Sequence, residues 1–346
     1  MRVLCVIILF GACLHAFAPS PSSQLNSIIV PGMGGSYLYA EKNRIWPSPF
    51  PQHKNLLCST EKKDAIYSGE IGSIGGILTG DWMSRTLFGN NFYSPLIQSL
   101  PGRVHGFPYD FRKIMDPSYL ETLYDGYEEF FNRHSDTRYI LYCHSLGGLL
   151  MHDFFSHRPS LLRYVKAIVY INCPFDGSVM PLPYLLGNIQ TKLPIPPTLL
   201  PSPECLLRFD GFFWCLPWLD PDRILVSSPS NISNTIRSSD LYSHRPEYKD
   251  FLLPRKQKRL QSLPNIRSIL FYSRSSTATS EVFRLDGKHQ TTENGDGVVS
   301  EKSLTLPLHS WSPPPILHQH FPNTDHSSIL SDPAFLRECA RIHSVS

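Results

Sequence analysis

Charge is scarce in this 346-residue chain. Only 18% of residues are charged and the net charge is +3. No block of like charges occurs, so no nucleic-acid partner is indicated. Beyond the N-terminus no apolar run reaches the ~20 residues that span a bilayer. Internal repeats and low-complexity tracts are lacking too, which leaves one large core with an added subdomain, or two ordinary domains. The Gly-rich stretch PGMGGS at 31–36 lacks the lysine-serine ending of a phosphate-binding loop and the helix that should follow it.

Proline, by contrast, is abundant at 31 residues, and 14 histidines and 8 cysteines are present. The opening MRVLCVIILFGACLHAFAPSPSS has the form of a secretory signal: Arg2, an apolar stretch from Val3 to Leu14, and a small-x-small pattern at Ala16–Ala18. The expectation is a signal at 1–18, followed by a secreted or lumenal protein. Six cysteines follow it: Cys58, Cys143, Cys173, Cys205, Cys215 and Cys339. Cys205 and Cys215 are the easiest pair by sequence distance. Cys143 and Cys173 each end a strand-like run, where a free buried cysteine is the commoner case. Asn231-Ile232-Ser233 is a glycosylation sequon.

Apolar runs at 27–30, 103–107, 138–143, 164–172 and 265–272 read as strands. Between them, 117–133 places Leu120, Leu123, Tyr124, Tyr127, Phe130 and Phe131 on one side of a helix, and 146–156 reads as a second helix. This alternation predicts an α/β fold with a mostly parallel sheet and helices on both faces. Two stretches break the rhythm: 41–80, rich in Pro, Lys, Gly and Ser, and 179–260, which contains FFWCLPWL at 212–219. Both read as insertions at the rim of a single domain over 19–346.

One short stretch carries chemistry. YCHSLGG at 142–148 lies between a strand and a helix and is one residue away from the nucleophile elbow G-x-S-x-G, with Cys143 in place of the first glycine. A serine hydroxyl needs a histidine to take its proton and a carboxylate to orient that histidine. With the order Ser, acid, His, the candidates are Ser145, Asp296 (between two glycines in NGDGVVSEKS) and His326 in NTDHSSIL. His309, His318, His320 and His343 compete, the last too near the C-terminus to be well held. His144 and His152 read as an elbow residue and a helix-surface residue. The N–H groups of Met33, in PGMGGS, and of Leu146 are the candidate oxyanion donors. Asp110 and Arg112 read as a structural ion pair. No metal or cofactor is required, since Ser, His and Asp supply nucleophile, base and orienter.

Several stretches together resemble the lecithin:cholesterol acyltransferase family, which includes lysosomal phospholipase A and phospholipid:diacylglycerol acyltransferases. These are VPGMGGSYLYA at 30–40, PYDFR at 108–112, CHSLGG at 143–148, INCPFDGSVMPL at 171–182, NGDGVVSEKS at 294–303 and DHSSIL at 325–330, with a weaker likeness in WLDPDRILVSSPSN at 218–231. The resemblance implies an α/β-hydrolase core, a membrane-contacting insertion at 41–80 and a cap at 179–260. It assigns Ser145, Asp296 and His326 as a triad, with Met33 and Leu146 as oxyanion donors. It implies transfer of a fatty acyl group from a phospholipid to an alcohol or water, at a membrane or lipoprotein surface. Two departures stand out. Family members often close the early insertion with its own disulfide, whereas 41–80 holds Cys58 alone, and Asp176 stands where a glycine is usual. Trp46, Leu56 and Leu57 would either touch lipid or pack beneath the loop. A lipid-binding protein without catalysis, and a peptidase or small-ester hydrolase on the same core, are the alternatives.

Overall fold

In a computed structural model of the chain, the residues described are 25–47, 51–59, 66–77, 92–185, 201–227, 235–243, 248–276, 279–284 and 289–345. The expected signal at 1–18 and the sequon at 231–233 lie outside them. Six strands form the central sheet: β1 (Asn26–Val30), β5 (Val104–Gly106), β6 (Tyr139–His144), β7 (Val165–Ile171), β10 (Arg267–Arg274) and β13 (Leu317–Pro322). Their order is β13-β10-β7-β6-β1-β5, and every pairing is parallel. This is the mostly parallel sheet that the alternation predicts.

A parallel sheet buried on both faces needs strands that are apolar at every position. YILYCH of β6 is buried throughout. The period-2 alternation of side chains then divides the core in two. Ile28, Val30, Leu141, Cys143, Ile168 and Tyr170 face one apolar layer, and Ile29, Ile140, Tyr142, Val169 and Ile171 face the other. The helix Pro117–Arg133 covers the first with the six residues that its spacing singled out. Asp116 starts it by accepting hydrogen bonds from the N–H groups of Ser118 and Tyr119 ahead of Pro117. Phe107 stacks on Tyr127 at 4.4 Å between ring centres. The second layer is closed by the helix Pro333–Val345 through Phe335, Cys339 and Ile342. His343, on the last turn of that helix, is held after all: it hydrogen-bonds the Ser27 hydroxyl at 3.0 Å and stacks on Tyr142.

The early break in the rhythm contains β3 (Asn43–Trp46), β4 (Ile66–Ser68) and a helix Pro51–Cys58, and its two strands pair antiparallel with β2 (Leu38–Ala40), just before it, in the order β3-β2-β4. Trp46 and Leu57 are buried here. Trp46 donates its indole N–H to the Gly34 carbonyl and meets Phe111 edge-on, so packing rather than exposure is its state. The later break contains short helices at Pro203–Leu206 and Asp210–Trp214 and two strands, β8 (Ile224–Ser227) and β9 (Ile236–Arg237). Their sheet is completed from beyond residue 260 by β11 (Thr279–Arg284) and β12 (His289–Glu293), in the order β12-β11-β8-β9.

The cysteine pairing differs from the short-range expectation. Cys58 bonds Cys205 across 147 residues, with 5.1 Å between their Cα atoms, and Cys215 is free and buried. The early insertion is therefore closed not on itself but onto the later one. Cys143 and Cys173 are free and buried, as the strand ends suggest. Among the described residues no helix is long and apolar enough to cross a membrane, and no cluster of three metal-ligating side chains occurs.

Candidate active site

Ser145 sits where β6 ends and the helix Leu146–His157 begins, at φ 52° and ψ −127°. A non-glycine residue held there carries about 1–3 kcal/mol of backbone strain, which the surroundings must offset. Two bonds grip it: the Ser145 N–H donates to the Ile171 carbonyl (2.8 Å), and the Gly148 N–H donates to the Ser145 carbonyl (3.0 Å). Small residues are needed at the start of the helix, though for contacts other than those with β6. A Cβ on Gly147 would stand 2.5 Å from the Pro31 carbonyl oxygen, at the end of β1. One on Gly148 would collide with the Cys173 sulfur, at the end of β7. Cys143, in the place of the missing glycine, lies wholly buried in the first apolar layer.

The three candidates that lie far apart in sequence meet here. His326 Nε2 is 2.9 Å from Ser145 Oγ, and His326 Nδ1 is 2.6 Å from Asp296 Oδ2. A carboxylate oxygen only accepts, so Nδ1 carries the proton and Nε2 is free to accept the Ser145 O–H. Asp296 is fully buried. Its other oxygen, Oδ1, accepts the N–H groups of Val298 and Val299 at 2.9 and 2.7 Å. The flanking glycines make that turn: Gly297 has φ 86°, and a Cβ on Gly295 would overlap the Val299 carbonyl. A backbone bond from His326 N–H to the Asp296 carbonyl, 2.9 Å, ties the two loops.

The PGMGGS loop crosses in front of Ser145. A Cβ on Gly32 would lie 3.0 Å from Ser145 Cβ. Among the described residues neither the Met33 nor the Leu146 N–H has a hydrogen-bond partner. For Leu146 that is the ordinary state of a first helical residue, whose N–H has no partner within its helix.

Ser145 and His326 open into a pocket walled chiefly by apolar side chains, among them Met33, Trp46, Phe92, Met180, Phe212 and Val298. No carboxylate or ammonium group is among its described lining residues. Both insertions supply walls: Trp46 and Pro47 from the early one, Phe212 and Cys215 from the later one. Asp176, in place of the usual glycine, does not line it. Asp176 accepts from Arg223 at 3.2 Å and from the Leu219 N–H at 3.1 Å, so it anchors the later insertion to the end of β7. Asp110 and Arg112 form a buried ion pair at 2.5 Å, and Arg112 also donates to the Leu57 carbonyl.

The other histidines take unlike places. His152 is buried, not on a helix surface: it stacks on Trp311, 5.3 Å between ring centres, and donates Nε2–H to the Gln261 carbonyl. Burial pushes its pKa down to about 4. His318 and His320 lie on the edge strand β13, and neither they nor His309 line the pocket. His144 is buried behind His326, and burial above all pushes its pKa down to about 3. Tyr93, which the sequence pattern did not single out, joins His144 in the pocket lining. Its segment, FYSPL, has no periodicity that would have marked it.

A family model described as lecithin:cholesterol acyltransferase matches residues 97–237. Among solved structures the chain is similar to one in the Tle4–Tli4 complex, with a TM-score of 0.58 at 12% identity, covering 93% of this chain and 98% of that one. It is also similar to the lipase BlEst2 of Bacillus licheniformis in its mature form, with a TM-score of 0.42 at 13% identity, covering 94% and 95%. No curated protein sequence matches it at a significant level.

Proposed function

We propose that this lecithin:cholesterol acyltransferase-like α/β-hydrolase is a serine-dependent lipid acyltransferase or phospholipase A. The family match, on the α/β-hydrolase fold, points to a lipid-active hydrolase or acyltransferase. The finer reading is carried by one observation: the Ser145–His326–Asp296 line opens into an apolar pocket whose described lining residues include no carboxylate or ammonium group. Such a wall suits a fatty acyl chain.

In the proposed reaction His326 Nε2 takes the Ser145 proton as Oγ attacks the acyl ester carbon of a phospholipid. Asp296 holds the resulting imidazolium through Nδ1–H. The Met33 and Leu146 N–H groups receive the oxyanion. His326 then gives its proton to the departing lysophospholipid oxygen, leaving an acyl ester on Ser145. An alcohol (a sterol or another lipid) or water, deprotonated by the same histidine, attacks this ester and restores the serine. The difference between transferase and hydrolase lies in which acceptor reaches the acyl-enzyme.

The secretory reading of residues 1–18 and action at a membrane or lipoprotein surface belong to the same proposal. The Cys58–Cys205 bond supports the first, since such bonds persist in oxidising compartments. The exposed Tyr67, stacked on Tyr39 at the outer edge of the early insertion, supports the second.

The test is to incubate the mature protein with acyl-labelled phosphatidylcholine vesicles, with and without a sterol or long-chain alcohol, beside Ser145→Ala. A labelled ester that needs both the alcohol and Ser145 makes it a transferase, and free fatty acid alone makes it a phospholipase. Removal of the nucleophile is expected to cost about 10⁴–10⁶-fold in kcat. Equally low release by wild type and Ser145→Ala would refute the enzyme reading in favour of lipid binding without turnover.

A further inference from the structure

A single line of hydrogen bonds runs beneath the pocket from the PGMGGS loop to the loop that carries His326. The Gly32 N–H is 2.8 Å from the Tyr93 hydroxyl, which is 2.9 Å from His144 Nδ1. His144 Nε2 is 2.9 Å from the His326 carbonyl oxygen. The direction of the line follows from its ends. A carbonyl can only accept, so His144 carries its proton on Nε2. Nδ1 is therefore an acceptor, and the Tyr93 hydroxyl donates to it. The Tyr93 oxygen, with its own proton committed, accepts the Gly32 N–H.

We propose that Tyr93 and His144 are positioning residues: they join the oxyanion loop to the loop of the catalytic base and set the two in register. The proposal rests on the triad reading above and adds two residues that act through others. Three observations support it. Tyr93 and His144 are 1% and 4% exposed, so solvent does not compete for these bonds. The Gly32 N–H is occupied by Tyr93, so the next N–H, that of Met33, is the one left for an oxyanion. The His326 carbonyl has a second holder in Asn172 Nδ2 at 3.2 Å, and Asn172 is itself fixed by the Ser273 N–H at 2.8 Å. The backbone of the base is thus gripped from two strand ends, those of β6 and β7. Burial also keeps His144 neutral, so no second positive ring faces the imidazolium that His326 becomes, 5.1 Å away between ring centres.

A purely packing role predicts that Tyr93→Phe, which keeps the ring, is silent. Positioning predicts otherwise. In Tyr93→Phe, labelling of Ser145 by a fluorophosphonate probe and kcat on a chromogenic long-chain ester should each fall about 10- to 100-fold, with KM within about twofold. His144→Gln, whose amide can donate to the same carbonyl, should recover part of what His144→Leu loses. In ¹⁵N-histidine spectra the wild-type His144 should be neutral with its proton on Nε2, and Tyr93→Phe should keep that tautomer while its Nδ1 resonance shifts towards that of an unbonded ring nitrogen. Wild-type labelling and kcat in Tyr93→Phe, equal losses in the two His144 variants, or a wild-type proton on Nδ1 would each overturn the proposal. A wild-type protein that the fluorophosphonate does not label, while the Nδ1 shift depends on the Tyr93 hydroxyl, would uphold the hydrogen-bond line and refute the serine-enzyme reading instead.

Discussion

The central sheet and the rim above it are held by different physics. Within the sheet, strand partners satisfy the backbone and alternate side chains fill two apolar layers, so stability is spread over many residues. The rim packs Trp46, Leu57, Phe212 and Trp214 into the first of those layers and adds a few long-range ties: the Cys58–Cys205 bond, Arg112 on the Leu57 carbonyl, Arg208 on the Cys58 carbonyl, and Lys256 on the Phe213 and Leu216 carbonyls. The pocket lies between the two regimes. Its chemistry stands on strand ends that the sheet fixes, whereas its walls stand on segments outside the sheet that apolar packing and a few ties fix. Damage to the rim should therefore alter what the pocket accepts before it alters the reacting groups.

The largest expected separation of the two comes from the disulfide. Its loop of 147 residues puts the chain-entropy contribution at about 5 kcal/mol as an upper figure. Cys58→Ser should lower the melting temperature and bring the first protease cleavage to the rim segments 51–59 and 201–216. Cleavage starting in the central sheet would mean that the rim is not separately held. Phe131→Ala tests the opposite side. Phe131 packs against Tyr139, Phe154 and Tyr164, and its truncation should cost about 3–5 kcal/mol in denaturant unfolding. The protease pattern of the rim and the kcat of the folded protein should stay as in wild type. A changed kcat would show that the layer beneath the sheet also tunes the site.

The remaining effect is a slope, absent at neutral pH. His144 and His152 both have folded pKa values pushed below the ordinary value near 6.5, to about 3 and about 4, by burial. The unfolded chain binds these protons first as pH falls, so each residue's contribution is complete above pH ~6.5 and is lost progressively below it. In that window each should remove about 1.4 kcal/mol per pH unit. His152→Gln keeps a donor for the Gln261 carbonyl and should flatten the stability–pH curve between about pH 4 and 6.5. An unchanged curve would mean that His152 is protonated in the folded state.

Where sequence reading succeeded, the signal was local. The helix over 117–133 has its cap, proline and apolar stripe in consecutive residues, and its bounds match those of the structure. The elbow is a strand, a turn and a helix in one stretch. Ser145, Asp296 and His326 could be named because the chemistry demands three residue types in a set chain order, and the structure brings those three together. Where reading failed, the partner was remote. Cys205 looked towards Cys215, ten residues on, but bonds Cys58 because two insertions fold against each other. His152, read as a helix-surface residue, is buried instead. Trp311, from a distant loop, covers it.

The sequence by itself determined the alternation of strands and helices, the two apolar faces of the sheet, and the residue types from which a nucleophile, base and acid could be drawn, because these follow from short-range periodicity and bond chemistry. Tertiary structure alone decided that the two insertions share a disulfide and wall one pocket. It alone decided that Asp176 anchors the later insertion, and that Tyr93 and His144 link the PGMGGS loop to His326. Each of these is a contact between segments distant in the chain, set by how elements pack, and no local pattern encodes such a distance.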